Sequence, residues 1–224
     1  MMRKIIFFLL AIHFLFIPVL GAQTYNDFFQ LVYNKDIDAL KAFIQKCPDP
    51  NLANEAGSTM LMLVCNYPDL KECFELLLEK GADVNKTNKW GQTAIFAAAM
   101  RSAYYTKRLI DKGARVDMVD DSQGQTPFFM AVVNQLMNER PSFETLDVLL
   151  EHGANINFQI TKGPNTGATP LMFAIMANNT EMVEYLLKHG ADPYIRDSTG
   201  NSAIDYAKKE NNMELIELLK HAKD

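Results

Sequence analysis

The feature that most constrains the fold is a recurring pair of short apolar segments, each pair closed by a glycine. Residues 167–200 contain the clearest copy: Thr169 precedes the first segment, Asn178-Asn179 interrupts the pattern, and Gly190 ends the second segment. Threonine is a preferred helix N-cap, and glycine commonly ends a helix in the left-handed conformation. The pattern predicts a helix, a turn, a second helix and a projecting turn.

Each predicted helix is too short to be stable alone, because isolated helices become marginal below about 12–15 residues. Their apolar faces must therefore be buried against neighbouring copies. The copies begin at glycines 57, 91, 124, 167 and 200, at intervals of 34, 33, 43 and 33 residues. With a degenerate first copy, we predict repeats at about 25–56, 57–90, 91–123, 124–166, 167–199 and 200–224.

A period near 33 with Thr-Pro-Leu-Met at 169–172 and Gly-Ala-Asp at 190–192 resembles the ankyrin repeat. The resemblance covers the chain from about Tyr25 to its end. It implies an all-α solenoid of about six helix-turn-helix units with projecting β-turn fingers, occupying residues 23–224. One position departs from the family, whose usual histidine after Thr-Pro-Leu is replaced by Met62, Phe96, Phe129, Met172 and Asp205. We expect the polar bond of that histidine to be missing and apolar contacts to hold the joints between repeats.

The N-terminus has the three parts of a secretory signal peptide. Residues 1–4 are basic at Arg3 and Lys4, residues 5–19 are almost wholly apolar, and Gly21-Ala22 offers small residues for cleavage. The apolar run is shorter than the roughly 20 residues that span a bilayer. We predict a signal peptide at residues 1–22 and a periplasmic or secreted protein, with an uncleaved N-terminal membrane anchor as the alternative. The chain thus resembles an exported, bacterial ankyrin-repeat protein.

The net negative charge of the chain limits the classes of partner that it can bind. The formal net charge of the whole chain is −5, and loss of Arg3 and Lys4 with the signal peptide makes it −7. Lysine and arginine supply most of the affinity for a phosphate backbone, so an acidic chain does not suit nucleic acid. Its field would instead steer a basic partner toward it. We expect a protein partner with a basic surface, no nucleic acid, and no stable membrane insertion after cleavage.

Three cysteines occur, at Cys47, Cys65 and Cys73. Cys65 is predicted at the end of one helix and Cys73 early in the next, so the two lie close enough to be a candidate disulfide in an oxidising compartment. The alternative is that both are small buried apolar side chains. No Cys-x-x-Cys pair or Cys/His cluster suggests a metal site.

The remaining polar residues do not form a catalytic set. His152 and His189 occupy the same repeat position, which indicates a structural role at a helix C-terminus. Asp120 and Asp121 invite a calcium or catalytic interpretation, but aspartate is common in turns, and we expect a solvated turn. We therefore predict a non-enzymatic chain with no metal and no cofactor.

The family places its binding surface on the turn tips and the exposed side of the first helices. Trp90, the only tryptophan, lies in a turn, where it is either a packed ring or an interface anchor. The longer turn of the fourth repeat, which contains Lys162, is either tolerated drift or a specificity element. We predict partner contacts from Tyr67, Trp90, Met100, Arg101, Asn134, Lys162, Met176 and Arg196.

These observations favour a non-catalytic protein-binding module that acts outside the cytoplasm through its concave face. The alternative is an inhibitor or immunity-type protein that occludes a secreted enzyme or toxin.

Overall fold

The computed structural model describes residues 24–138 and 142–221, so the predicted signal peptide lies outside the described residues. The described chain forms twelve helices, which confirms the predicted all-α class. They are α1 (Tyr25–Asn34), α2 (Ile37–Lys46), α3 (Met60–Val64), α4 (Lys71–Glu79), α5 (Ala94–Arg101), α6 (Ala103–Asp111), α7 (Pro127–Leu136), α8 (Glu144–Glu151), α9 (Pro170–Met176), α10 (Thr180–Lys188), α11 (Ala203–Lys209) and α12 (Met213–His221).

The helices stack as consecutive antiparallel pairs. Each odd-numbered helix packs against the next odd-numbered helix along the chain, and α2 packs on α4, α6 on α8, and α10 on α12. Arg108 on α6 forms two bonds, of 2.9 and 2.6 Å, to the Glu75 carboxylate on α4. The main helix contacts thus join helices of one repeat or of adjacent repeats. A single hydrophobic core runs through the stack from Phe28 to Leu219, which is the arrangement of a solenoid.

The hydroxyl residue at the start of each first helix acts as an N-cap in five repeats. The side chains of Thr24, Thr59, Thr126, Thr169 and Ser202 each accept a hydrogen bond from the backbone N–H three residues later, at 3.2–3.3 Å. Each bond satisfies one of the unpaired amides at a helix N-terminus. The sixth equivalent residue, Thr93, makes no such bond.

The expectation that the replaced histidine leaves no polar bond is wrong in three repeats. The Sδ atoms of Met62 and Met172 accept the backbone N–H of Thr59 and Thr169, at 3.4 and 3.5 Å. Asp205 accepts the equivalent N–H in the last repeat at 3.0 Å. A thioether sulfur is a weak acceptor, so methionine partly fulfils the polar role while it packs in the core.

The projecting turns, called fingers here, form a continuous strip along one side of the stack. One backbone hydrogen bond links each finger to the next: Lys89 N to Ala56 O at 2.9 Å, Asp121 N to Trp90 O at 2.7 Å, Thr161 N to Gly124 O at 3.2 Å, and Ser198 N to Thr166 O at 3.1 Å. Close approach requires glycine at Gly167, where φ is +84° and an added Cβ would lie 2.6 Å from Ser198 N.

No helix within residues 24–138 and 142–221 has the length and hydropathy that crossing a membrane requires.

Candidate functional site

An open groove lies between the fingers and the first helices of the N-terminal half of the stack. Its volume is about 300 Å³. We call it the uncharged groove, and its lining comprises Tyr25, Asn54, Ser58, Met62, Leu63, Asn66, Asn88, Trp90, Gln92, Thr93, Phe96, Ala97, Met100 and Met130. It combines apolar side chains from α1, α3, α5 and α7 with amide side chains, which is the composition of many ligand sites.

Helix α5 supplies the floor of the groove. Met100 follows Ala97 by three positions and Phe96 by four, so it lies on the same side of the helix as both. Ala97 is small, and the space above it remains open between larger neighbours. The predicted contact residue Met100 therefore lies in the groove.

Trp90 stands on the finger side of the groove. Asn88 Oδ1 accepts the N–H groups of Trp90 and Gln92 at 2.9 and 3.1 Å, which fixes the finger backbone. The ammonium of Lys89 lies 4.6 Å from the centroid of the Trp90 ring, within the range of a cation–π contact. Trp90 is 40% exposed, so it is not packed in the core. The ring is presented on a fixed backbone and remains open to contact.

Two other predicted residues lie beside Met100. The Asn134 side-chain amide donates to the Met100 carbonyl at 2.9 Å, which ties α7 to the end of α5. Arg101 is exposed and lines a separate groove that also contains Glu144. The structure thus brings Trp90, Met100 and Asn134 together, with Arg101 next to them.

The remaining predicted residues are not in the uncharged groove. Tyr67 is half-buried in the connection between α3 and α4. Met176 is 41% exposed at the end of α9.

Lys162 and Arg196, predicted as partner contacts, are engaged within the chain. The Lys162 ammonium donates to the Asp121 carbonyl at 2.8 Å and pairs with its carboxylate at 3.2 Å, which pins the fourth finger to the third. Arg196 donates to the Gly200 carbonyl at 2.5 Å and to the Asp205 carboxylate at 3.2 Å. Both basic groups therefore stabilise fingers.

Sequence reasoning missed Thr93. This residue is 2% exposed, and its Oγ1 atom has no hydrogen-bond partner among the described residues. It lines the uncharged groove. No sequence signal distinguishes Thr93 from the threonines that cap their helices, because the same residue fills the same position in each.

Asp120 and Asp121 were both predicted to lie in a solvated turn, and the prediction holds for only one of them. Asp120 is 1% exposed, and its carboxylate accepts the N–H groups of Ser122, Gln123 and Gln125 at 2.8–2.9 Å. Burial raises the pKa of this carboxyl, but the hydrogen bonds outweigh burial and the net pKa is lowered. A solvated turn is therefore wrong for Asp120, whereas Asp121 is exposed.

The two repeated histidines make the same contact. The Nδ1 atoms of His152 and His189 lie 2.7 and 2.8 Å from the carbonyl oxygens of Val148 and Tyr185, four residues earlier in each case. Each imidazole therefore forms a hydrogen bond with a carbonyl group near the C-terminal end of its own helix.

The three cysteines are buried free thiols. The candidate disulfide between Cys65 and Cys73 is therefore not formed in this structure, and both side chains belong to the core. Burial raises the pKa of Cys65, and it raises that of Cys73 to about 11. Thiols held protonated in this way are poor nucleophiles. Residues 24–138 and 142–221 contain no group of three or more His, Cys, Asp or Glu side chains that could hold a metal ion.

Comparison with known proteins agrees with this architecture. The family model for ankyrin repeats matches residues 61–160 and 141–224. An ankyrin repeat protein of fowlpox virus (strain NVSL) is 31% identical over 188 residues, which are 80% of this chain and 51% of the viral protein. The ankyrin repeat protein YahD of Escherichia coli (strain K12) is 25% identical over 180 residues, which are 67% of this chain and 87% of that protein.

An L-asparaginase of Dirofilaria immitis is also similar, 27% identical over 191 residues, but the match covers only 30% of that protein. The chain spans about half the length of the fowlpox relative. Because the family model matches well over half of the chain, the protein belongs to the ankyrin repeat family.

Proposed function

We propose that this protein is a non-catalytic module that binds a protein partner on its concave face. Ankyrin repeats are protein–protein interaction modules, and stacked repeats create extended concave binding surfaces. The observation that carries the proposal is the uncharged groove, in which Trp90 is 40% exposed beside Met100. Tryptophan and methionine are enriched in protein interfaces, and a rigidly held aromatic ring is a typical energetic anchor.

Photo-crosslinking at single positions tests the binding face. A photoreactive amino acid replaces Met100 in the uncharged groove, and in a matched variant it replaces Lys112, which follows α6 on the second-helix side. Crosslinking in cells of the source organism should yield a defined adduct from position 100 that position 112 does not yield. Equal labelling at both positions would refute the assignment of the face.

The proposed site of action is outside the cytoplasm. It rests on the basic, apolar and small-residue segments of residues 1–22. Amino-terminal sequencing of the protein from its natural host should give a chain that begins just after Gly21 or Ala22. An intact Met1 would support the membrane-anchored alternative or a chain that is not exported.

The acidic charge of the chain also supports the second candidate, an inhibitor or immunity-type protein that occludes a basic secreted enzyme or toxin. Its association rate with such a target should fall steeply between about 0.05 and 0.5 M salt, because screening shortens the Debye length. An association rate that does not respond to salt would count against this candidate.

A further inference from the structure

We propose that the partner enters the uncharged groove as an extended peptide segment with uncharged, apolar side chains. The inference rests on the proposed function and specifies the chemistry of the partner at that site. It depends on three properties of the groove: its lack of charge, its unused hydrogen-bonding groups, and its shape.

The absence of charge in the lining determines which side chains of a peptide the groove accepts. None of the fourteen lining residues is ionised at neutral pH, since Tyr25 is the only titratable one and its pKa is raised to about 12, chiefly by burial. The three other described grooves each contain both an acidic and a basic side chain: Glu55 and Lys89, Arg101 and Glu144, and Asp83 and Lys112. A charged side chain that enters the uncharged groove would lose hydration, and no residue of the lining would supply an ionic partner. Apolar side chains carry no such penalty.

The amides at the rim offer both kinds of hydrogen-bonding group. Asn66 donates through Nδ2 to the Met62 carbonyl at 3.0 Å, and its Oδ1 accepts no hydrogen bond from the described residues. Asn54 accepts through Oδ1 from Ala56 N and Ser58 N at 3.0 and 2.9 Å, and its Nδ2 donates to none of the described residues. An extended peptide presents an N–H and a C=O at every residue and needs partners for both. The groove therefore has groups that match a backbone.

The shape of the groove favours an extended strand of the partner over a folded surface of the partner. A volume of about 300 Å³ is at the lower end of ligand sites, roughly 300–1,000 Å³, and admits only a few side chains. The lining runs from Tyr25 on α1 to Met130 on α7, across four repeats and along the fingers. A groove of small volume that crosses four repeats suits an extended segment whose alternate side chains point inward.

Peptide selection on the immobilised full chain tests the proposal. The probe is a display library of random dodecapeptides, and selected sequences are resynthesised with blocked termini. We expect sequences without Lys, Arg, Asp or Glu and with apolar residues at alternate positions. Because Trp90 is the only tryptophan, binding of a peptide that lacks tryptophan should change the fluorescence of the protein. The dissociation constant should change less than twofold between 0.05 and 0.5 M salt, since no ion pair forms.

A charge placed in the groove provides the first control. Ala97→Arg should weaken peptide binding at least tenfold. Ala42→Arg, at an exposed position in the middle of α2 and outside the lining, should leave binding unchanged.

The Thr93 hydroxyl provides the second control. Thr93→Val removes a buried hydroxyl that has no partner among the described residues, so the melting temperature should stay the same or rise. Because this hydroxyl is enclosed beneath the lining, peptide binding should stay unchanged. Thr126→Val removes a capping hydroxyl, so it should lower the melting temperature and leave peptide binding unchanged.

The proposal is overturned if selection gives no enrichment over bare support, if charged sequences dominate, or if Ala97→Arg binds the selected peptides as the wild type does. None of these results affects the crosslinking test at Met100. A specific adduct there together with charged or absent peptides would refute this inference and leave the proposed function standing.

Discussion

Asp120 organises the third finger. It is a buried carboxylate that accepts three backbone N–H groups of its own turn. Aspartate is common in turns, and the sequence alone predicted a solvated one. Burial of Asp120 depends on how the finger folds back over it, which no local pattern reports.

We predict that Asp120→Asn lowers the free energy of unfolding by about 1–3 kcal/mol, because the amide NH₂ turns a donor toward a backbone donor. The pKa of Asp120 is lowered in the folded protein, so its contribution is full above its unfolded pKa of about 4 and is lost as pH falls through the folded pKa. The difference between wild type and variant should therefore be constant above about pH 5 and shrink in acid. Chemical denaturation across pH measures it.

The matched control is Asp121→Asn on the same finger. Asp121 is exposed and pairs with the exposed Lys162, so the change should cost less than about 1 kcal/mol. Equal losses for both variants would contradict the role assigned to the buried carboxylate.

Lys80 provides a second case in which the role of a residue follows from the fold. Its ammonium donates to the carbonyls of Ile44, Gln45 and Cys47, each at 2.8 Å, and so caps the C-terminal end of α2 in the preceding repeat. Cations are favoured at this end of a helix.

We expect Lys80→Met to lower the free energy of unfolding by about 1–2 kcal/mol, because the apolar stem is kept while three carbonyls lose their donor. The control is Lys112→Met at the same position of the next repeat. The Lys112 ammonium makes no hydrogen bond with the described residues, so thermal melting should barely change. A larger loss at Lys112 would argue against the capping role.

At the scale of elements, the sequence predicted the helices well because the signals are local. Threonine before an apolar segment and glycine after it mark helix ends through the backbone geometry that they permit. The exception is the start of α5, where Thr93 does not cap. The residue three positions later does not explain this difference, because Phe96 and Phe129 both lack an acceptor group and Thr126 still caps α7. Such differences depend on the packing around each cap.

The joints between repeats are also unequal. Asn85 donates through Nδ2 to Gly113 O at 2.8 Å and accepts through Oδ1 from Arg115 N at 3.0 Å, which bridges the second repeat to the third. Asp117 fills the equivalent position in the third repeat but pairs with Arg115 of its own turn at 3.3 Å. Among the described contacts, it has none to the fourth repeat.

We therefore predict that Asn85→Ala lowers the free energy of unfolding by about 1–2 kcal/mol, whereas Asp117→Ala changes it by less than about 0.5 kcal/mol. Urea denaturation of the two purified variants measures both values. A comparable loss at position 117 would show that Asp117 itself bridges the third repeat to the fourth.

At the scale of the whole molecule, the period alone predicted a linear stack with a continuous core, since short helices can be buried only by their neighbours. The places of Trp90 on a projecting turn and of Met100 on a first helix followed from the same argument, and the fold brings both into the uncharged groove. Lys162 and Arg196 could not be placed from sequence. The hydrogen bonds of these two side chains depend on which carbonyl oxygens the folded fingers bring close to them.

A stack held by neighbour contacts should unfold locally. Ala207 on α11 is fully buried in the last repeat, and Ala207→Asp would place an unpaired charge there. We expect hydrogen exchange to show loss of protection in α11 and α12 and retained protection in α3 to α6.

Ala174→Asp on α9 is the control for position in the stack. Ala174 is also fully buried, but α9 packs on α7, α10 and α11. Loss of protection should therefore extend in both directions from α9. Uniform loss in either variant would mean that the stack unfolds as one unit.

The strip of fingers has a mechanical consequence. One backbone hydrogen bond joins each finger to the next, so a force that pulls the two ends apart passes through these joints in series. The link between the third and fourth fingers lacks the asparagine bridge of its neighbours in the described chain, but the Lys162 ammonium reinforces it through the Asp121 carbonyl and carboxylate. Under tension the array should behave as a spring whose coils are joined in series, with one joint held by an ion pair where its neighbours are held by amides.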